Sequence, residues 1–165
     1  MIASKHLREC IIRPALDDLK LYSLAREELL VITAAQESLG GHYLMQNDAK
    51  GYPKGPALGI YQEEPNTYLD CFNNFLRFQP VHYERLTNSP FSLTTLYIPP
   101  ARRLVYDMDY ATKAAVLQYY RFKEPLPDYA DLRGLIAYYK KYWNTEKGAA
   151  TLAETRRNYD RYIAQ

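Results

Sequence analysis

The sequence predicts a mostly α-helical single domain spanning residues 1–165, with a small β-hairpin in the 40–60 region. Three observations carry this. Apolar residues recur at helical spacing through most of the chain. Residues that start and stop helices stand at the ends of those stretches. One segment, Tyr43 to Gly59, holds three of the seven glycines and two prolines and shows no period. A chain of 165 residues, 47% apolar and 24% charged, is long enough for one core and too apolar for wholesale disorder.

The elements follow in order. Pro14 opens a short helix through "RPALDDLKL". Ser23 is the expected N-cap of a helix running to about Ser38, with Glu27 and Glu28 near its start and Leu29, Ile32 and Ala35 on one face. "LGG", Leu39 to Gly41, supplies its stop. Pro65 suits the first turn of a helix continuing through Leu69, Phe72 and Leu76, and a short helix follows Pro80. "NSPFSLTTLYIPP" is irregular because its prolines break helix and sheet alike. From Ala101 to Phe122 the positions Leu104, Met108, Ala111, Ala115 and Gln118/Tyr119 describe one long amphipathic helix. After "EPLPD", Asp128 caps a helix whose stripe is Leu132, Leu135, Ile136, Tyr139 and Trp143. Thr151 and Glu154 form a capping-box pattern at the last helix.

Composition removes several function classes. A net charge of +2 without a run of like charge leaves no electrostatic footprint for nucleic acid, which is not an expected partner. No apolar run is long enough to span a bilayer. "MIASKHLREC" lacks the apolar segment of a signal peptide, so synthesis in a cytoplasm is expected. Cys10 and Cys71 have no CxxC spacing and read as buried free thiols. His6, His42 and His82 share no ligand spacing, so neither a metal nor a cofactor is expected.

Glu37 is the candidate for chemistry. It lies in the last turn of a largely apolar helix, where the negative end of the dipole and partial burial both disfavour a carboxylate. Both raise its pKa toward what a general acid needs near neutral pH. Seventeen tyrosines supply faces suited either to sugars or to protein contacts, and most, such as Tyr106 and Tyr119, read as core or interface residues.

The surroundings of Glu37 resemble the lysozyme-like lytic transglycosylases, whose fold goose-type lysozymes share. The family's first motif is a glutamate-serine pair closing a helix, here Glu37-Ser38 in "AAQES". Its second motif is G-A-x-G-L-M-Q, two residues, then P-x-T. Pro56-Ala57-Leu58-Gly59-Ile60-Tyr61-Gln62, Glu63-Glu64 and Pro65-Asn66-Thr67 follow it position for position. The third, A-Y-N in a later helix, is matched by Ala137-Tyr138 in "LIAYYKKYW". Tyr139 stands where the asparagine belongs and reads as core, and Asn144 is the candidate to supply the missing amide. "GPALGIYQEEP", "DYATKAAVLQYYR" and "AYYKKYWNT" also look like small virion-associated proteins encoded by tailed phages.

This resemblance implies a lysozyme-like fold and cleavage of the β-1,4 bond between N-acetylmuramic acid and N-acetylglucosamine in peptidoglycan. Glu37 would be the single general acid/base, with the substrate's acetamido group standing in for a second carboxylate. Ser38 and Tyr138 would orient Glu37 or contact the acetamido group. Gly59 would let backbone approach the sugar, Tyr61 would stack on it and Gln62 would read it. The implied partners are peptidoglycan glycan strands and other virion proteins, with action at the host cell wall. A water-using enzyme would need a second acid, for which Asp48 stands first and Glu63 and Glu64 behind it; these two also suit the acidic start of a helix. The alternatives are an inactive structural or interaction protein of a virion that keeps the fold, favoured by Tyr61, Tyr139 and the tyrosine surplus, and a glycan-binding module without turnover.

Overall fold

Ser23 opens the helix around which the rest is assembled: its hydroxyl accepts from the Arg26 amide at 3.2 Å, as an N-cap should. The structure is a computed structural model and describes residues 1–47, 53–145 and 148–164. It is mostly helical, 60%, with one two-stranded antiparallel sheet.

Helix α1 occupies residues 4–18 in three continuous pieces: α-helical Ser4–His6, π-helical Leu7–Ile12 and α-helical Arg13–Asp18. The sequence pattern located only its second half. Pro14 lies within it and has no N–H to give, and the backbone ahead of it is wound as π-helix. Helix α2 (Leu24–Ser38) follows and packs against α1, and on its other sides against the helices at Met108–Tyr120, Leu132–Tyr139 and Leu152–Ile163. Buried Glu27 ties α1 to α2, accepting from Arg13 at 2.9 and 3.1 Å, Arg8 at 3.3 Å and Tyr22 at 3.1 Å.

The hairpin pairs β1 (Met45–Asn47) with β2 (Pro53–Leu58), Met45 opposite Leu58 and Asn47 opposite Pro53. Helices α3 (Pro65–Asn74) and α4 (Pro80–Thr87) come next, each opened by its proline and joined by the 3₁₀ turn Leu76–Phe78. The long helix expected from Ala101 to Phe122 is two: α5 (Arg103–Tyr106) and α6 (Met108–Tyr120). Asp107 divides them. Its backbone is extended and its carboxylate accepts from the Tyr110 amide at 2.9 Å, so a capping residue starts a new helix. Helix α7 (Leu132–Tyr139) is capped by Asp131, which accepts from Gly134 N at 2.9 Å. Asp128, expected in that role, instead holds a turn through Ala130 N. α7 runs on as the π-helical turn Lys140–Asn144. Helix α8 (Leu152–Ile163) starts at Thr151, whose hydroxyl accepts from Glu154 N at 3.2 Å.

The core is one cluster of Leu, Ile, Ala and aromatic side chains from these helices and the turn after β2. Tyrosines fill much of it: Tyr68, Tyr83, Tyr110, Tyr119 and Tyr139 are buried. Each finds a polar partner, as with Tyr119 on Thr33 at 2.7 Å and Tyr68 on the Pro99 carbonyl at 2.8 Å. Tyr106, expected in a core or an interface, is exposed. Cys71 is buried, whereas Cys10 is exposed, and both are free thiols. Among the described residues no helix is long and apolar enough to cross a membrane, and no group of His, Cys, Asp and Glu could hold a metal ion.

Candidate functional site

The stretch "GPALGIYQEEPNT" folds as strand, tight turn and helix start. Leu58 and Glu63 exchange both main-chain hydrogen bonds, Leu58 N to Glu63 O at 3.0 Å and Glu63 N to Leu58 O at 2.9 Å. The four residues between them reverse the chain, with Gly59 at φ +76 and Gln62 at φ +50. A Cβ at Gly59 would lie 2.2 Å from the Leu104 carbonyl oxygen, so the close approach demanded of this glycine is to α5. The expected approach of Gly59 to a sugar is thereby corrected.

Four anchors fix the turn. Ser38 Oγ donates to the Ile60 carbonyl at 2.6 Å and accepts from Gly41 N at 2.8 Å. Trp143 Nε1 donates to the Tyr61 carbonyl at 3.2 Å, and the Tyr61 hydroxyl bonds Thr112 at 3.1 Å. Gly59 N donates to Leu44 O at 2.8 Å. Ser38 is 0% exposed and Tyr61 1% exposed, so neither reaches a ligand. Their roles correct to positioning: Ser38 joins the end of α2 to the turn, and Tyr61 fills the core beneath it.

Above this turn lies an open groove of about 1520 Å³. Its base is the end of α2, with Gln36 and Glu37. One wall is Gln62, Glu63, Glu64 and the first half of α3; the other is Tyr142, Trp143, Asn144 and Thr145. Arg121, Phe122, Tyr43 and Gln46 also line it. Gln62 lines the groove as expected, with its Nε2 donating to Gly59 O at 2.7 Å, which leaves the amide oxygen for a ligand. Arg121 is paired with Asp70 at 2.6 Å, so the two present a neutralised ion pair.

Glu37 is held inside this space. The Tyr139 hydroxyl donates to Glu37 Oε1 at 2.5 Å, and the Asn144 side chain lies near enough to favour the ionised carboxyl. Lys140 orients that amide: its ammonium donates to Asn144 Oδ1 at 2.7 Å and to the Gly148 carbonyl at 2.8 Å. With Oδ1 so occupied, the Asn144 NH₂ is the group free to donate. The π-helical turn explains the pairing of Tyr139 with Asn144, since π winding stacks residues five apart on one face.

Burial raises the Glu37 carboxyl to about 7, against the hydrogen bond from Tyr139, the Asn144 side chain and the charge of Lys140, all of which favour the anion. The carboxyl is thus both protonated and ionised near neutral pH, the condition under which one group can give and then take a proton. Tyr138, expected beside Glu37, is not there. Its hydroxyl donates to the Glu124 carbonyl at 3.2 Å, its ring packs against Tyr142, and it faces a separate hollow between α2 and the 123–129 segment. Successive helix residues point about 100° apart, and the neighbour Tyr139 takes the position.

The pattern reading missed two features. Tyr142, Trp143 and Tyr43 give the groove aromatic faces, although Trp143 was legible only as one of an apolar stripe. Glu63 is 3% exposed rather than a solvated helix start, and burial pushes it up to about 8. Asp48 lies outside the described residues. No family model, curated protein or solved structure matches the chain, so what the groove can do is argued from its own geometry.

Proposed function

We propose that the chain is a lysozyme-like lytic transglycosylase that cleaves the N-acetylmuramic acid–N-acetylglucosamine β-1,4 bond of peptidoglycan, with Glu37 as its single general acid/base. The observation that carries this reading is Glu37 itself: a half-buried residue whose carboxyl is raised to about 7, held by the Tyr139 hydroxyl on the lining of an open groove. Neutral Glu37 gives its proton to the glycosidic oxygen as the bond to C1 breaks. The acetamido oxygen of the same sugar stabilises the positive charge on C1. The Glu37 carboxylate then removes the proton of the sugar's 6-hydroxyl as that oxygen closes on C1, leaving a 1,6-anhydro end and restoring the neutral acid. Tyr139 and Asn144 stabilise the anion between the two transfers. Tyr142 packs against Phe122 and Tyr138 and Trp143 against Tyr119, which leaves Tyr43 and the outer side of Trp143 for sugar rings, with Gln62 an acceptor for their hydroxyls.

The likeness of its motifs to small virion-associated proteins supports carriage in a phage particle, with synthesis in the host cytoplasm and action at the wall. A second reading, an inactive lysozyme-fold protein that binds other virion components, is favoured by Tyr61, which is buried in the core instead of facing the groove, and by Tyr139 in place of the family's asparagine. Release of soluble fragments from dye-labelled peptidoglycan separates the two. The enzyme clears it, and Glu37→Gln, which cannot give a proton, lowers the rate by at least about a thousandfold. Release by neither protein sinks the enzymatic reading, and equal release by both sinks the assignment of Glu37.

A further inference from the structure

We propose that Glu63 is a ligand-contacting residue of the groove, a carboxylic acid that gives its O–H to an acceptor oxygen of the glycan. The inference rests on the glycan reading above and adds a contact that the single-acid mechanism does not use. Glu63 belongs to the turn after β2, where its main chain is fully engaged with Leu58. Its carboxyl is therefore free of any part in holding the turn.

That carboxyl is in an unusual state. The residue is 3% exposed, Oε2 is sealed from solvent without a hydrogen bond, and no side-chain hydrogen bond or ion pair reaches the group from any described residue. Glu63 nevertheless lines the groove, so with Oε2 sealed, Oε1 is the oxygen left to face it. The titratable groups near it on the protein side are Tyr68 and Cys71 of α3 and Tyr110 of α6, all neutral. The cations of this region are committed elsewhere, Arg103 to Asp107 and Arg121 to Asp70. The groove adds His42 and the acids Glu37, Glu64, Asp70 and Glu154. Nothing here compensates an anion, and burial moves the group to about 8. At neutral pH it is an acid with an unspent donor.

A buried polar group without a partner lowers stability, and an apolar side chain of similar size would not. With Oε2 sealed as the carbonyl oxygen, the proton sits on Oε1, and a carboxylic acid kept at that cost on the wall of a binding groove is accounted for by an acceptor that the ligand brings to the Oε1 hydroxyl. A neutral O–H suits a sugar hydroxyl or an amide carbonyl and gives no advantage to a cation.

The test is calorimetric binding of soluble, peptide-free peptidoglycan glycan strands in a Glu37→Gln background, which keeps the ligand intact. With Glu63 present, affinity falls about tenfold between about pH 6 and pH 9.5, as the donor is lost. Glu63→Gln retains an N–H donor, so it binds within about threefold of the parent at pH 6 and loses the pH step. Glu63→Met binds about tenfold more weakly at both pH values and melts at a higher temperature. A Met variant that melts higher and binds like the parent overturns the inference and leaves the glycan reading standing. Retention of the pH step in the Gln variant overturns it as well, whether or not the Met variant folds. Absence of strand binding by the parent sinks the glycan reading and this inference with it.

Discussion

Tyr139 and Glu37, 102 residues apart in sequence, are joined by a hydroxyl-to-carboxylate hydrogen bond of 2.5 Å. The bond ties the start of the π-helical turn after α7 to the last turn of α2, and both ends lie where the groove is cut. A tyrosine in this place does two things. Its ring completes the core at 0% exposure, and its hydroxyl favours the ionised form of an acid that burial would otherwise keep neutral.

Tyr139→Phe keeps the ring and removes the donor. Because the hydrogen bond lowers the Glu37 pKa, its loss raises that pKa by about one unit, the equivalent of roughly 1.4 kcal/mol. Carbon-13 titration of the Glu37 carboxyl reads this directly. The accompanying pH–rate profile moves in the same direction, with a maximum about tenfold lower. An unmoved titration would show that the bond does not couple to the charge.

Stability should fall as pH rises from mildly acid to mildly alkaline. Burial raises both Glu37, from 4.5 to about 7, and Glu63, from 4.5 to about 8. Each folded-state pKa lies above its unfolded value, so the folded protein binds more protons between them. The stability from protonation is full below about pH 4.5 and is lost as pH passes 7 for Glu37 and 8 for Glu63. Urea melts at pH 5 and pH 8 should differ by on the order of 3 kcal/mol or more in favour of pH 5. Glu37→Gln removes the part of the slope that ends near 7, and Glu63→Met the part that ends near 8. A flat or rising curve in the parent would contradict this.

Gly59→Ala should cost roughly 3 kcal/mol or more, a large share of the stability of a domain this size. Two penalties combine: a left-handed backbone at φ +76 and a methyl group placed 2.2 Å from the Leu104 carbonyl. Thermal melting checks this. A loss below about 1 kcal/mol would mean that α5 yields freely, and that the turn is not seated against it.

The sequence and the structure agree where the physics is local. Ser23, Thr151, Pro65 and Pro80 start helices because capping and φ preference act within a turn. Glu37 was legible as a raised acid because a carboxyl in an apolar helix end has few ways to be solvated. The other site residues depend on what meets them across the fold. Gly59 announces a close approach, but a backbone carbonyl and a sugar make the same demand on it. Tyr138 and Tyr139 differ only in helix phase, and phase alone does not say which face meets Glu37. Asn144 comes to the acid through π winding, which has no mark in the residue pattern. Glu63 has the composition of an exposed helix start and is buried by the turn that carries it.

The central claim is that Glu37 alone gives and takes the proton in glycan cleavage. Mass spectrometry of fragments released from peptidoglycan by the wild-type chain and by Glu37→Gln tests it most directly. The expected result is 1,6-anhydro ends from the wild type, 18 Da lighter than the hydrolysed product by the loss of one water, and none from the variant. Reducing ends would require a second group that activates water. Anhydro ends persisting in Glu37→Gln would contradict the assignment of Glu37.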